Sequence, residues 1–102
     1  MSEIVDMELV RRLTKKDGKS KVERCLKLSE EVGELAAAVL SETNSPGCEY
    51  KTLDRDDVLQ EVADVLIMDH SMVAHYGFTD EEVRNKFLEK CAKWERVVEM
   101  KP

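Results

Sequence analysis

Aromatic residues are scarce in this chain of 102 residues, at 5% of the sequence. The apolar mass comes mainly from Leu, Val, Ala and Met, while charged residues make up 37%. This mixture favours helices packed on helices over a β-sheet. A chain of this length is expected to form one domain, residues 1–102, with a single core. We therefore predict an all-α domain.

The sequence also lacks an excess of positive charge, long apolar runs and paired cysteines. Its net charge of −6 argues against a surface for nucleic acid or anionic membrane. No apolar stretch has membrane-spanning length, and no basic region followed by an apolar run begins the sequence, so we expect a cytoplasmic protein. Cys25, Cys48 and Cys91 show no C-x-x-C spacing, which indicates reduced thiols and no zinc site.

Capping signals divide the chain into four helical segments. Asp17-Gly18 ends the first segment, and Ser20 with Glu23 begins the second as a capping box. Gly77 stops the third segment, and Thr79 with Glu82 begins the fourth. The predicted helices span about 2–16, 20–43, 54–76 and 79–100, with an irregular loop at 44–52. The short connections predict antiparallel neighbours in a four-helix bundle.

Apolar stripes mark the surfaces that these helices would bury. The stripe of the second helix contains Val22, Cys25, Leu26, Ser29, Val32, Ala36, Val39 and Leu40. The third helix is apolar over a wider arc, formed by Val58, Val62, Val65, Leu66, Ile67, Met68, Met72 and Val73. A helix that is apolar on most sides is central or lies at a subunit interface. We therefore predict a homo-oligomer, either a dimer or a tetramer.

Two carboxylate motifs carry the chemistry of the sequence. The second helix contains Glu30-Glu31-Val32-Gly33-Glu34, and the third contains Glu61-Val62-Ala63-Asp64. Acids three residues apart share one helix face. Glu31 and Glu34 alone would fit an ordinary solvated face, but the stripe of Glu61 and Asp64 continues into two methionines. Because an isolated buried anion is very costly, carboxylates in such a segment need protons, cations or metal ions. The two motifs together predict a site for divalent cations.

The ligand type indicates which metal would bind. A set of Glu and Asp oxygens suits Mg²⁺ or Mn²⁺, with water completing the octahedron. A di-iron bundle would require Glu-x-x-His, whereas Asp64 follows Glu61, and His70 and His75 are poorly placed. On the fourth helix Lys90 interrupts the apolar stripe and Lys86 lies at its edge. Two interpretations stay open for Lys90, namely an aliphatic stem lying on the core or contact with a buried anion.

These motifs resemble those of the MazG-like all-α nucleoside triphosphate pyrophosphohydrolases. That family is marked by E-E-x-x-E followed, one or two dozen residues later, by E-x-x-D, as at residues 30–34 and 61–64 here. The segment 27–35 is similar to the family's second helix, and Asn85-Lys86-Phe87 with Lys90 is similar to its last helix. The resemblance covers about residues 21–99.

The resemblance implies hydrolysis of a nucleoside triphosphate, or of a modified or deoxy one, to the monophosphate and pyrophosphate. It implies that the Mg²⁺ ligands are Glu31, Glu34, Glu61 and Asp64, with Glu30 as an auxiliary acid. It also implies that Lys86, Lys90 and Asn85 contact the substrate, and Lys27 is a further substrate-binding candidate. Phosphoribosyl-ATP pyrophosphohydrolase, which shares this acidic pattern, remains an alternative, as does a non-catalytic helical interaction module. The sequence contains no G-x-x-x-x-G-K-[ST] loop, which excludes a P-loop mechanism.

Overall fold

A computed structural model describes residues 4–44, 47 and 53–101. These residues form four α-helices and no strand: α1 (Met7–Asp17), α2 (Lys21–Glu42), α3 (Arg55–Tyr76) and α4 (Asp80–Glu99). The all-α, four-helix prediction is therefore confirmed. Most of the predicted loop, residues 45–46 and 48–52, lies outside the described residues. None of the helices in the described ranges is both long and apolar enough to cross a membrane.

Side-chain caps set the helix boundaries. Ser20, Asp54 and Thr79 each form a capping box with the residue three positions later. Gly18 and Gly77 end α1 and α3 in the left-handed conformation, each with φ of 73°, which costs glycine little. The predicted start of the first helix is wrong. Residues 4–6 precede the helix, because Asp6 is its N-cap and accepts a 3.0 Å hydrogen bond from the Leu9 amide.

The helices pack around α3. The antiparallel pair of α2 and α3 makes the most extensive contact, and α1 packs on α3. The fourth helix joins this group through its first turns, where Val83 and Phe87 line a cavity with His70 and Val73. An ion pair between Arg11 and Asp80 adds a link from α1 to the start of α4. The second half of α4 therefore extends away from the other helices.

Burial within the single chain is slight and largely polar. Among the described residues, Ala38 is the one buried apolar residue, at 1% exposure. The predicted apolar stripe of α2 faces outward, with Val22 68% and Leu26 65% exposed. The inner face of α2, which packs on α3, instead carries Arg24 and Glu31 beside Ala38. Glu31 is only 6% exposed, so the stripe of Glu31 is not the ordinary solvated face that its sequence alone would also fit.

Candidate metal centre

Three glutamates from the two longest helices meet between α2 and α3. Carboxylate oxygens of Glu31, Glu34 and Glu61 lie within 4.8 Å of one another. Glu31 is buried, Glu61 is half-buried and Glu34 is exposed, so the group extends from the helix contact to the surface. The structure thus brings together three of the four residues predicted as metal ligands. We call Glu31, Glu34 and Glu61 the glutamate trio.

The antiparallel register of α2 and α3 accounts for this meeting. Near one end of the pair the backbone amide of Leu53 donates a 3.0 Å hydrogen bond to Ser41 Oγ. Near the other end Arg24 donates a 2.9 Å hydrogen bond to Ser71 Oγ. Between these two contacts, the antiparallel register brings Glu31 and Glu34 of α2 beside Glu61 of α3.

Two oxygens of the trio are buried without a partner. Glu31 Oε2 and Glu61 Oε2 are inaccessible to solvent, and neither accepts a hydrogen bond from any residue that the structure describes. An unpaired buried carboxylate oxygen is costly, because it has lost its hydration and gained nothing in return. A cation between α2 and α3 would satisfy both oxygens. These two unsatisfied oxygens are the observation that supports a metal ion at the trio.

Lys27 partly neutralises the outer side of the trio. Its Nζ lies 3.2 Å from Glu31 Oε1 and 3.4 Å from Glu30 Oε1, one turn along α2. These two hydrogen bonds, to Glu31 first and then to Glu30, raise the pKa of Lys27 above its ordinary value. The ammonium group is therefore held charged beside the carboxylates. Lys27 contacts Oε1 of Glu31, whereas the unsatisfied oxygen is Oε2.

Electrostatic repulsion within the trio acts on its exposed member. The negative charge of Glu31 raises the pKa of Glu34 above its ordinary value of 4.5, and desolvation and the charge of Glu61 act in the same direction. Lys27 carries one positive charge beside three carboxylates, so it offsets only part of the negative charge of the trio. A group of like charges that raises its own proton affinity also favours the binding of a divalent cation.

The other predicted site residues lie outside the trio. Asp64 is exposed, one turn beyond Glu61, and is not part of the group. Lys86 pairs with Glu89 at 3.0 Å on the surface of α4. Lys86, Asn85 and Lys90 line a cavity of about 680 Å³ with Phe78 and Val83, and no glutamate of the trio lines it. Within one chain, the structure does not bring these α4 residues to the carboxylates.

A buried polar network on the same face of α2 was not predicted. Arg24 is 2% exposed and donates to His75 Nδ1 at 2.8 Å, to Ser71 Oγ at 2.9 Å and to the Thr14 carbonyl at 2.8 Å. The network ties α1, α2 and α3 together two turns from Glu31. Because Nδ1 of His75 accepts this hydrogen bond, its ring proton sits on Nε2. The signal in the sequence was the seven-residue spacing of Arg24, Glu31 and Ala38.

The cysteines and His70 do not take part in the trio. Cys25 is an exposed free thiol on α2, Cys91 is a half-buried free thiol on α4, and Cys48 lies outside the described residues. His70 Nδ1 lies 2.8 Å from the carbonyl of Leu66, one turn earlier in α3. Its ring thus makes a local contact along its own helix, and the candidate ligands are all carboxylate oxygens.

The family model described as the MazG nucleotide pyrophosphohydrolase domain matches residues 19–97. The matched range contains α2, α3, the glutamate trio and nearly all of α4. Comparison with curated proteins gives no match, and comparison with solved structures gives none.

Proposed function

Because the chain belongs to the MazG nucleotide pyrophosphohydrolase domain family, we propose that it hydrolyses a nucleoside triphosphate to the monophosphate and pyrophosphate. The buried, unsatisfied oxygens of Glu31 and Glu61 are the observation that supports the proposal most strongly. They provide a place for the divalent cation on which cleavage of a phosphoanhydride bond commonly depends.

Glu31, Glu34 and Glu61 would hold the cation in this proposal. An all-carboxylate set favours Mg²⁺, with Mn²⁺ as the second choice, because both are hard cations that prefer oxygen. Asp64 is proposed as a fourth ligand, since it lies one turn from Glu61 on the same helix. When bound, such a cation neutralises phosphate charge and lowers the pKa of a coordinated water.

The remaining residues position the substrate and water in this scheme. Glu30 is proposed as an auxiliary acid that orients a water molecule. One of its carboxylate oxygens, Oε1, lies 3.4 Å from Lys27 Nζ. Lys27 is proposed to contact the substrate, because its charged ammonium group lies at the rim of the trio. Lys86, Lys90 and Asn85 are proposed to contact phosphate oxygens, and they require α4 of a second chain or a movement of α4 to do so.

We also retain a homo-oligomer, a dimer or a tetramer, as part of the proposal. One reason is that the α4 residues proposed to bind phosphate lie apart from the carboxylates of the same chain. The wide apolar arc of α3 is the other, because Ile67 remains 54% exposed in the single chain. An interface between copies would remove such a side chain from water.

A pyrophosphate-release assay tests the proposed activity. The panel contains canonical, deoxy and oxidised nucleoside triphosphates and phosphoribosyl-ATP, each with Mg²⁺ and with EDTA. Turnover of a nucleoside triphosphate that depends on Mg²⁺ and is lost in Glu61→Gln supports the proposal. Turnover of phosphoribosyl-ATP alone identifies the related enzyme of histidine biosynthesis. Absence of pyrophosphate from every substrate, with thermal stabilisation by Mg²⁺ retained, would favour the non-catalytic module.

A further inference from the structure

A cavity of about 750 Å³ lies at the end of the helix bundle where two turns meet. One turn joins α1 to α2 and contributes Gly18 and Lys19 to the wall. The other joins α3 to α4 and contributes Gly77 and Phe78. A cavity of this volume lies in the range that small organic ligands occupy. We call it the turn cavity.

The turn cavity is separate from the glutamate trio, none of whose members lines it. On α2 its wall reaches Arg24, which precedes Glu31 by two helical turns, or about 10 Å along the helix axis. On α3 its wall begins at Ala74, about 20 Å along the axis from Glu61. A ligand in this cavity therefore meets different side chains from a cation at the trio.

The wall of the turn cavity is positively charged, although the chain as a whole has a net charge of −6. Four cationic side chains line it, namely Arg11, Lys15, Lys19 and Arg24. Asp80 of the wall pairs with Arg11. Asp17 lies 3.9 Å from Lys19 Nζ and 3.5 Å from Arg24 Nη1. Two acids beside four cations leave an excess of two positive charges. The electrostatics of the cavity therefore favour an anionic ligand.

Two of these cations have hydrogen-bond donors left for a ligand. Lys15 is exposed and forms no ion pair with any residue that the structure describes. Arg24 is only 2% exposed, and an arginine side chain has five N–H groups. Four of them point to acceptors, which are the His75 ring, the Ser71 hydroxyl, the Asp17 carboxylate and the Thr14 carbonyl. The fifth, on Nη2, has no acceptor in the described part of the chain. Because a buried donor without an acceptor is costly, an anionic oxygen in the cavity would stabilise it.

An aromatic ring forms another part of the wall. Phe78 lines the turn cavity and is 45% exposed. Its ring stacks on that of Tyr76, with the centroids 5.5 Å apart and the planes 6° from parallel. Lys21 Nζ lies over the Tyr76 ring, 4.3 Å from its centroid. These contacts hold Phe78 in position through stacking and a cation–π interaction. A planar ring such as a nucleobase can stack on an exposed aromatic side chain of this kind.

Charge and the aromatic ring together define the class of ligand. The excess of two positive charges matches a phosphate monoester, which carries about −1.5 to −2 charges at pH 7. Inorganic phosphate alone would leave most of the cavity empty and Phe78 without a contact. A nucleoside monophosphate supplies both the dianion and a planar ring, and it is of a size that a cavity of about 750 Å³ accommodates.

We propose that the turn cavity is a second binding site, which holds a nucleoside monophosphate with its phosphate at Lys15 and Arg24 and its base on Phe78. Binding there needs no divalent cation, because the cations of the wall neutralise the phosphate. The proposal goes beyond the proposed hydrolysis at the trio and does not depend on it.

Isothermal titration calorimetry in EDTA tests the proposal. The ligands are the nucleoside monophosphates of the common bases, the corresponding nucleosides and inorganic phosphate. At least one monophosphate should saturate one site per chain and bind at least about tenfold more tightly than its nucleoside and than inorganic phosphate. Absence of saturable binding by every monophosphate would overturn the proposal. Equal affinity for inorganic phosphate would overturn it as well, because the ring would then contribute nothing.

A pair of adjacent lysines on α1 provides a matched comparison. Lys15→Glu reverses a charge in the wall of the turn cavity and should weaken binding of the monophosphate at least about tenfold. Lys16→Glu makes the same change at an equally exposed residue that does not line the cavity, and should change binding little. Similar losses in the two variants would show an effect of net charge alone and would contradict the assignment. If circular dichroism shows that Lys15→Glu has lost helicity, Lys19→Glu, which changes the wall outside any helix, takes its place in the comparison.

Glu61→Gln distinguishes the turn cavity from the trio. Because Glu61 does not line the cavity, this variant should bind the monophosphate in EDTA as the parent does. A monophosphate whose binding requires Mg²⁺ and is lost in Glu61→Gln would occupy the trio, and the proposal would be wrong. Pyrophosphate release measures the proposed hydrolysis separately. A chain that hydrolyses no nucleotide can therefore still show this site, and an active hydrolase can lack it.

Discussion

Mg²⁺ should reverse the order of stability of this protein and its Glu61→Gln variant. In the metal-free protein, Glu61→Gln removes one negative charge from the trio and leaves an amide of the same shape. The variant should then be more stable than the parent in EDTA. In excess Mg²⁺ the order should reverse, because the variant has lost a charged ligand.

The geometry of the trio gives the magnitude. At a separation of 4.8 Å, the upper limit for the oxygens of the trio, ionised Glu31 and Glu61 repel by about 3.5 kcal/mol at an effective dielectric constant of about 20. Lys27, 3.2 Å from Glu31, and water around the half-buried Glu61 offset part of this repulsion. We therefore expect a gain of about 1–2 kcal/mol in EDTA, and each kcal/mol raises Tm by about 4–8 °C in a domain of this size.

Excess Mg²⁺ acts on the parent by mass action. At a concentration one hundred times the dissociation constant it stabilises the folded state by about 2.7 kcal/mol. The parent should therefore overtake the variant. Thermal melts with EDTA and over a Mg²⁺ titration, at one fixed protein concentration, measure both effects.

Asp69→Asn is a matched control, since it removes an exposed charge from α3 away from the trio. It should leave the response to Mg²⁺ unchanged. If Glu61→Gln were less stable than the parent in EDTA, the trio would not be a repulsive group. If it responded to Mg²⁺ as the parent does, the cation would bind elsewhere.

Three further perturbations follow from the structure. Repulsion raises the pKa of Glu34, which means that its ionised form destabilises the metal-free fold. Glu34→Gln should therefore raise Tm in EDTA at pH 7. This increase in Tm should disappear below pH 4.5, the ordinary pKa of glutamate, where Glu34 is protonated in both the folded and the unfolded state. The same raised pKa makes protons compete with Mg²⁺, so the increase in Tm caused by Mg²⁺ should fall on acidification from a pH above 4.5, as Mg²⁺ titrations at several pH values would show. Arg24→Met should cost at least about 2 kcal/mol in urea unfolding, because it removes the buried donor to the Thr14 carbonyl of α1 and to Ser71 and His75 of α3, while the exposed control Arg12→Met should change little.

The helix ends could be predicted from sequence because their causes are local. Ser20, Asp54 and Thr79 each cap a helix with partners three residues away, and Gly77 needs only its own φ angle. The start of α1 was missed, because the apolar residues near the N-terminus continue the helical pattern beyond Asp6. A side-chain cap on the Leu9 amide outweighed that periodicity.

The orientation of α2 could not be predicted from its apolar pattern. One side carries the exposed apolar stripe with Val22 and Leu26, and the other carries Leu28, Leu35 and Ala38 among charged residues. Apolar periodicity therefore favoured the wrong side as the one that packs on α3. Arg24 and Glu31 are buried because partners on other helices, or a cation, can satisfy them. Such compensation depends on the register of α2 against α3, which short-range spacing does not contain.

The acids of the site were identifiable as a set, but their grouping was not. Spacing placed Glu61 and Asp64 on one face, yet the structure brings only Glu61 into the trio with Glu31 and Glu34. A helical residue's exact direction relative to a neighbouring helix decides this difference. The distance of Lys86 and Lys90 from the trio was hidden for the same reason, since it depends on where α4 lies.

The central claim is that Glu31 and Glu61 hold a divalent cation that supports cleavage of a nucleoside triphosphate. The most direct measurement is the rate of pyrophosphate release by the parent protein and by Glu31→Gln and Glu61→Gln, each verified as helical, with Mg²⁺ in excess. We expect rapid release by the parent and release at least about a hundredfold slower by either variant. A hundredfold loss corresponds to about 2.7 kcal/mol of transition-state stabilisation. Release at the parental rate from both variants would contradict the account.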